Sequence, residues 1–260
     1  MQNKLALHLK SVSYMINNKK IINDISFQIE LNDFVSIVGP NGSGKSTLIK
    51  LISGDIMPDN GNIDILGKGQ SDWDILDLAF RRSILGQFNN LSFAFTVMDV
   101  LKMGVYPLKN KTLTVNVDNV YGKLLKVFDL DDLKDQIYTT LSGGEKQRVQ
   151  LARVISQIWT SNTFNNKLLI LDEPTSFLDI KHQLSLFSFL KDLNRMGLTI
   201  VMVMHDINQA VINSNKIMFL KKGKMIDFGI TDLVVNDSIL KEVFDVNFNI
   251  EHLKNTQTFI

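Results

Sequence analysis

The sequence predicts an α/β fold with a mixed or parallel core sheet, an N-terminal antiparallel β part and a helical insert. Three observations carry this. A glycine loop, Gly39-Pro-Asn-Gly-Ser-Gly-Lys-Ser-Thr47, follows the apolar run 34–38 and precedes a helical pattern that reaches Gly54. The continuous apolar runs 168–171 and 199–204 read as strands covered on both faces, and the periodic stretch 179–196, closed by Gly197, joins them as strand, crossover helix and strand. Between these features, over 88–159, apolar residues recur at helical spacing.

The elements follow in order. Residues 5–9 and 11–14 alternate like half-buried strands, 16–20 reads as a turn, and 25–29 alternates again, which predicts an antiparallel start. After Pro58-Asp-Asn-Gly61 comes a short alternating piece, 62–66, ended by Gly67. Thr96-Val-Met-Asp99 has the spacing of a capping box, and Val117, Val120, Tyr121, Leu124, Leu125 and Phe128 predict a helix. Beyond Gly223 a short strand precedes Leu233, Ile239, Leu240, Val243 and Phe244 at helical spacing. With no internal repeat and no low-complexity segment, the expectation is a single domain over 1–260. Its core and antiparallel part come from 1–87 and 161–260, and its helical subdomain from 88–160.

Composition narrows the function. At 260 residues and 45% apolar side chains, the chain has ample material for a buried core. Its 28 basic and 27 acidic residues leave a formal charge of +1 without a long run of either sign, which argues against nucleic acid as a partner. The lack of cysteine removes disulfides and cysteine-ligated metal sites, and suits a reducing compartment. Met1-Gln-Asn-Lys-Leu5 has neither the basic start nor the apolar stretch of a secretory leader, so none is expected. No uncharged apolar run approaches the roughly 20 residues that span a bilayer, so any membrane association is expected to go through a partner.

The glycine loop has phosphate-binding spacing: Gly39, four residues, Gly44, Lys45 and Ser46, with Pro40, Asn41, Gly42, Ser43 and Thr47 completing it. Glycines let backbone N–H groups turn inward around phosphate oxygens, Lys45 supplies a point charge for the β- and γ-phosphates of a nucleotide, and Ser46 offers a hydroxyl to Mg²⁺. The run 168–174 ends a buried strand in Asp172 and Glu173, and in open α/β sheets ligands sit at the carboxyl ends of strands. Asp172 can order Mg²⁺ or its water, and Glu173 can polarise the water that attacks the γ-phosphate; taken alone, the pair also fits a solvated strand end. His205 ends the next apolar run and could hydrogen-bond the γ-phosphate or the attacking water, although a lone histidine there also fits a structural residue. Leu141-Ser-Gly-Gly-Glu145 places Ser142 and Glu145 in capping-box spacing ahead of a helix toward Trp159. That helix start is a second anion site, which Gly143 and Gly144 would let a phosphate approach closely; the two glycines alone also fit a plain turn.

With these motifs in this order, the chain resembles the nucleotide-binding subunits of ATP-binding cassette (ABC) transporters over essentially its whole length. Residues 39–47 look like the Walker A loop, 141–145 the signature, 168–172 the Walker B strand with Glu173 as catalytic base, 176–179 the D-loop ending in Asp179, Gln87 the Q-loop and His205 the switch histidine. The resemblance implies a P-loop NTPase cassette that uses ATP and Mg²⁺, with Gln87 joining Ser46 and Asp172 as metal ligands. Tyr14 matches the aromatic that stacks on adenine, although by itself it reads as a sheet-face residue. The resemblance also implies a head-to-tail homodimer in which each nucleotide is capped by Ser142 and Gly144 of a second copy. Integral-membrane permease subunits would be driven between access states by ATP binding and hydrolysis, with a periplasmic substrate-binding protein reached through them. The subunit would then sit peripherally on the cytoplasmic face of the inner membrane. Two positions depart from the pattern: Gly86 stands where a proline often precedes the Q-loop glutamine, and Phe177 replaces the common small D-loop residue.

Within the family, the chain is similar to cassettes of bacterial iron-chelate, haem and cobalamin importers. Stretches 88–97, 148–159 and the polar extension 160–167 look like the haem-import branch, whereas 172–183 looks equally like ferric-siderophore cassettes. Haem import is the expected role, with ferric-siderophore or cobalamin import as alternatives. His8, His182 and His252 are not read as haem ligands, since scattered histidines on predicted strands and helices are structural or solvated. A soluble cassette ATPase of translation or DNA repair would carry tandem cassettes, a long coiled-coil insert or basic patches, and none is present. A scaffold that binds ATP without turnover would not need both Glu173 and His205. Phe93, Phe95, Val97 and Met103 are candidates for a groove that receives a permease helix, or for the core of the insert.

Overall fold

The computed structural model describes residues 5–86, 91, 93–106 and 113–246. The chain divides into two compact units, one built from residues up to Asp72 and from Ile200 onward, the other from Trp73–Thr199.

In the first unit, β1 (Leu5–Ile16) and β2 (Lys19–Glu30) form an antiparallel hairpin. The pieces expected at 5–9 and 11–14 are one strand. Ser11 adopts φ 48°, the register shifts between Leu9 and Val12, and the Ser11 amide donates to Ser26 Oγ at 2.8 Å, so the break in alternation is a bulge. The turn expected over 16–20 narrows to Asn17 and Asn18, at φ 49° and 63°, the left-handed pair that a two-residue hairpin demands and asparagine tolerates. β3 (Phe34–Val38) is buried throughout and leads through the glycine loop into α1 (Lys45–Ser53), closed by Gly54 at φ 81°. β4 (Asn60–Ile65) and β5 (Lys68–Gly69) complete an antiparallel sheet ordered β2-β1-β4-β5.

The second unit holds α2 (Ile75–Arg81), β6 (Arg82–Leu85), α3 (Val97–Val105), α4 (Val117–Val127), α5 (Gly143–Ile158), β7 (Lys167–Asp172) and α6 (Ile180–Arg195). Thr96 opens α3 and Ser142 opens α5 with the capping boxes that their spacing to Asp99 and Glu145 predicts. β6 runs parallel to β7, from Arg82 opposite Leu168 to Leu85 opposite Leu171. Leu101, Leu124, Val149, Ala152 and Ile155 build the apolar interior of the helical part.

β8 (Leu198–Val203) carries the chain back into the first unit, followed by α7 (Ile207–Asn213), β9 (Lys216–Lys221), β10 (Lys224–Ile230), α8 (Thr231–Val234) and α9 (Asp237–Phe244). There β8 and β9 flank β3 in parallel, with Phe34 opposite Ile200 and Ser36 opposite Ile217, and β10 pairs antiparallel with β9. This is the expected mixed sheet. β3 and β8 are buried at every residue, so apart from Ser36 and Thr199 they read as apolar runs with no alternation. Lys216 Nζ meets the buried Asp33 carboxylate at 2.8 Å, and Lys221 Nζ meets Asp245 at 2.7 Å, tying the end of α9 to β9.

Candidate functional site

In the first unit, β3 ends at Val38 and the glycine loop delivers the chain to the N-terminus of α1. Gly44, at φ 108°, turns the loop into the helix through a conformation that strains any L side chain. A Cβ on Gly39 would collide with the Leu220 carbonyl of β9. Lys45 is 6% exposed and donates from Nζ to the carbonyls of Gly39 at 2.8 Å and Pro40 at 3.1 Å, which folds its ammonium over the loop. Ser43 Oγ is buried with no hydrogen-bond partner among the described residues, while Asn41 and Gly42 face solvent. A cradle closed to side-chain bulk, an ammonium over it, a helix N-terminus behind it and an unmatched hydroxyl within it fit a polyphosphate. Ser46 and Thr47 are half-buried in the first turn of α1. Tyr14 is half-buried near the end of β1, opposite Ile22. His205 is exposed just beyond β8, and Asp206 next to it caps α7 by accepting the Asn208 amide at 2.8 Å.

In the second unit, β7 is buried at every position and ends in Asp172. Glu173 follows, half-buried at φ 52°, a left-handed backbone that is uncommon for glutamate and turns the chain sharply out of the strand. Gln147 on α5 donates to the Pro174 carbonyl at 3.0 Å, so the helix that Ser142 opens also holds the peptide after Glu173. The turn that follows closes through the Ser176 amide on the Glu173 carbonyl at 3.2 Å and the Leu178 amide on the Thr175 carbonyl at 3.1 Å. Asp179 then caps α6, accepting the His182 amide at 2.8 Å. Asp172 offers a carboxylate and Ser46 a hydroxyl, both hard oxygen donors suited to Mg²⁺. Among the described residues no cluster of three or more His, Cys, Asp or Glu could hold a metal ion by itself.

Ser142, at the exposed start of α5, donates from both Oγ and its amide to Glu145 Oε2 at 2.7 Å, which holds the Glu145 carboxyl below its ordinary range. Gly143 and Gly144 are the first residues of α5, as the capping-box spacing of Ser142 and Glu145 predicts, and the alternative of a plain turn ahead of the helix falls away. A Cβ on Gly144 would stand 2.7 Å from the Phe177 carbonyl, so this glycine admits the 176–179 turn to the helix start. Phe177, at φ 66° and 79% exposed, brings its ring within van der Waals reach of Gly143.

Gln87 lies outside the described residues. Of the four groove candidates, Phe95 and Met103 line a cavity of about 610 Å³ together with Asp99, Lys102, Tyr106 and Tyr121. Phe93 is exposed beside Phe95, their ring centroids 6.1 Å apart. Val97 is fully buried at the first position of α3 and belongs to the core, because the Thr96 cap turns it inward. Sequence reasoning missed Lys167, the last residue of the polar extension 160–167 and the first of β7. Its buried ammonium donates to the Ile158 carbonyl at 2.6 Å and to Thr160 Oγ1, and stands 5.5 Å and 5.6 Å from the rings of Phe80 and Phe164. Burial pushes its pKa down to about 8.

Residues 22–176 match a protein-family model described as ABC transporter. The chain is 37% identical over 243 residues to the hemin import ATP-binding protein HmuV of Pseudoalteromonas translucida (strain TAC 125), covering 93% of each chain. It is 34% identical over 242 residues to the protein of that name in Escherichia coli O157:H7, again covering 93% of each. Among solved structures it is similar to an inward-facing ABC transporter described as metal-chelate type, at 28% identity and a TM-score of 0.74, covering 94% of this chain and 90% of that one. It is also similar to a dimeric bacterial ABC transporter cassette in a post-hydrolysis state with ADP and phosphate. That match has 28% identity and a TM-score of 0.73, covering 86% of this chain and 98% of that one.

Proposed function

This chain belongs to the ABC transporter family, and from that premise we propose that it is the ATP-hydrolysing subunit of an importer whose cargo is haem. The observation that carries the ATPase part is the glycine cradle of the first unit, with Lys45 folded over it and Ser43 Oγ left unmatched within it. In this reading the loop amides and Lys45 hold the β- and γ-phosphates, and Tyr14 stacks on the adenine. Glu173 takes the proton of the attacking water, and His205 hydrogen-bonds the γ-phosphate or that water. Ser46, Asp172 and Gln87 would hold Mg²⁺, which supplies charge neutralisation on the phosphate oxygens when bound. Ser142, Gly143 and Gly144, with the dipole of α5 behind them, grip the nucleotide of a second copy, which Glu145 supports by fixing Ser142.

Two copies then close on ATP and part after hydrolysis, and that cycle moves permease subunits seated in the membrane. Among the described residues no helix is long and apolar enough to cross a bilayer, which suits a peripheral subunit on the cytoplasmic face. The groove around Phe95 and Met103 is the proposed seat of a permease helix, and a periplasmic binding protein would deliver cargo to that permease. Haem rests on kinship with proteins named for hemin import. Ferric-siderophore import is the second reading, favoured by the likeness to a metal-chelate type transporter. Reconstitution with the permease that copurifies with it decides between them. Hydrolysis stimulated by haem-loaded binding protein is the expected result, stimulation by ferric siderophore alone reassigns the cargo, and failure to associate with any permease sinks the importer reading.

A further inference from the structure

In the second unit, the loop after α4 and the first turn of α6 converge on one imidazole. His182 Nδ1 lies 2.8 Å from Asp179 Oδ1, the oxygen that also accepts the His182 amide. Across the ring, Nε2 faces Asp129 Oδ2 at 3.4 Å, and this buried nitrogen makes no hydrogen bond among the described residues. A carboxylate only accepts, so Nδ1 carries a hydrogen toward Asp179, and the ring is held between the two carboxylates with its Nε2 edge against Asp129. Asp129 is anchored from elsewhere too. Its backbone sits at φ 48°, Lys181 binds the same carboxylate oxygen at 2.7 Å, and Arg148 donates to the carbonyls of Phe128 at 2.6 Å and Asp129 at 2.7 Å.

Arg148 stands one turn beyond Glu145 on α5, so a chain of contacts runs from the helix that Ser142 opens through Asp129 and His182 to Asp179. Lys181 is 73% exposed and its ion pair is worth little in water, whereas the imidazole is 18% exposed and cannot be replaced by solvent on both sides. At the other end of this chain, Gly144 meets the Phe177 carbonyl. Ser142, Gly144, Arg148, Phe177, Asp179 and His182 line one cavity of about 270 Å³.

We propose that His182 is a positioning residue for ATP capture: by spanning Asp129 and Asp179 it sets the distance between Ser142 and the 176–179 turn. The inference rests on the reading that Ser142 and Gly144 grip the nucleotide of a second copy. It is tested on the full chain carrying Glu173→Gln, by measuring ATP-driven dimerisation with light scattering and monomer affinity with a fluorescent ATP analogue. His182→Ala is expected to weaken dimerisation about tenfold or more, as loss of a charge-assisted bond predicts, with monomer affinity unchanged. His182→Gln, whose amide reaches the Nε2 position, and His182→Asn, whose amide occupies the Nδ1 position, each restore part of the loss. Asp129→Asn matches His182→Ala, and the double variant is no worse than either.

Unchanged dimerisation in His182→Ala, an equal fall in monomer affinity, or additive losses in the double variant overturn the inference. Should His182→Ala fail to fold, the two amide variants, each keeping one of the two contacts, are judged by the same criteria. If Glu173→Gln alone does not dimerise with ATP, the reading of Ser142 and Gly144 falls, and the role of His182 with it.

Discussion

Glu173 takes an uncommon backbone conformation at the end of a buried strand, where the turn of the chain decides which way the carboxylate is presented. Replacing it with glutamine keeps the size and the backbone but removes the carboxylate proposed as the base. ATP binding should survive in Glu173→Gln while turnover falls by about 10² to 10³, measured as phosphate release, and near-normal hydrolysis would remove the general-base assignment. Gly144 makes the opposite kind of demand, for the absence of an atom. Gly144→Ala must push back the Phe177 carbonyl at a cost of about 1–3 kcal/mol, so ATP-driven association should weaken while binding to the glycine loop stays intact. Equal loss of both in equilibrium binding would show that the substitution acts by unfolding.

The elements that carry the site were legible wherever a period or a cap encodes them. β3, β7 and β8 announce themselves as dominantly apolar stretches without alternation because they are covered on both faces, and α5 is marked at its start by Ser142 and Glu145. α2 was not legible: Ile75 is 82% exposed and only Leu78 is buried, so no apolar stripe betrays the helix. Nor was the role of Lys167, since a lysine in a polar stretch reads as solvated. Its ammonium instead links the end of α5, at Ile158, to the start of the strand that bears Asp172.

Folding lowers the Lys167 pKa from 10.5 to about 8, so below pH 8 both states hold the proton and the cost of burying the charge is fully present. Between pH 8 and 10.5 the unfolded chain binds more protons than the folded one, and stability from this group rises with pH. Urea unfolding at pH 7.5 and 9.5 should therefore show a gain of about 2 kcal/mol in the parent relative to Lys167→Met. A pH dependence identical in the two proteins would contradict the buried-ammonium assignment. At the start of α3, Thr96→Ala should cost about 1 kcal/mol in the same experiment, by breaking the reciprocal cap with Asp99.

For the whole molecule, the proposed cycle makes assembly depend on nucleotide, so scattering from Glu173→Gln should report a dimer with ATP and a monomer without it. A monomer that encloses ATP alone would overturn the scheme. Met103→Glu, in the groove beside Phe95, should abolish transport in the reconstituted complex while sparing ATP hydrolysis by the free subunit; loss of both would place Met103 in the core. A different demand comes from the order in which the polypeptide is made. Residues 73–199 are contiguous, so that unit can close its core as soon as it leaves the ribosome. β3 has no such luck, because Val35 pairs with Val201 and Lys216. At ordinary synthesis rates the nascent chain displays an apolar strand with both edges bare for on the order of ten seconds, long enough for a chaperone to find it.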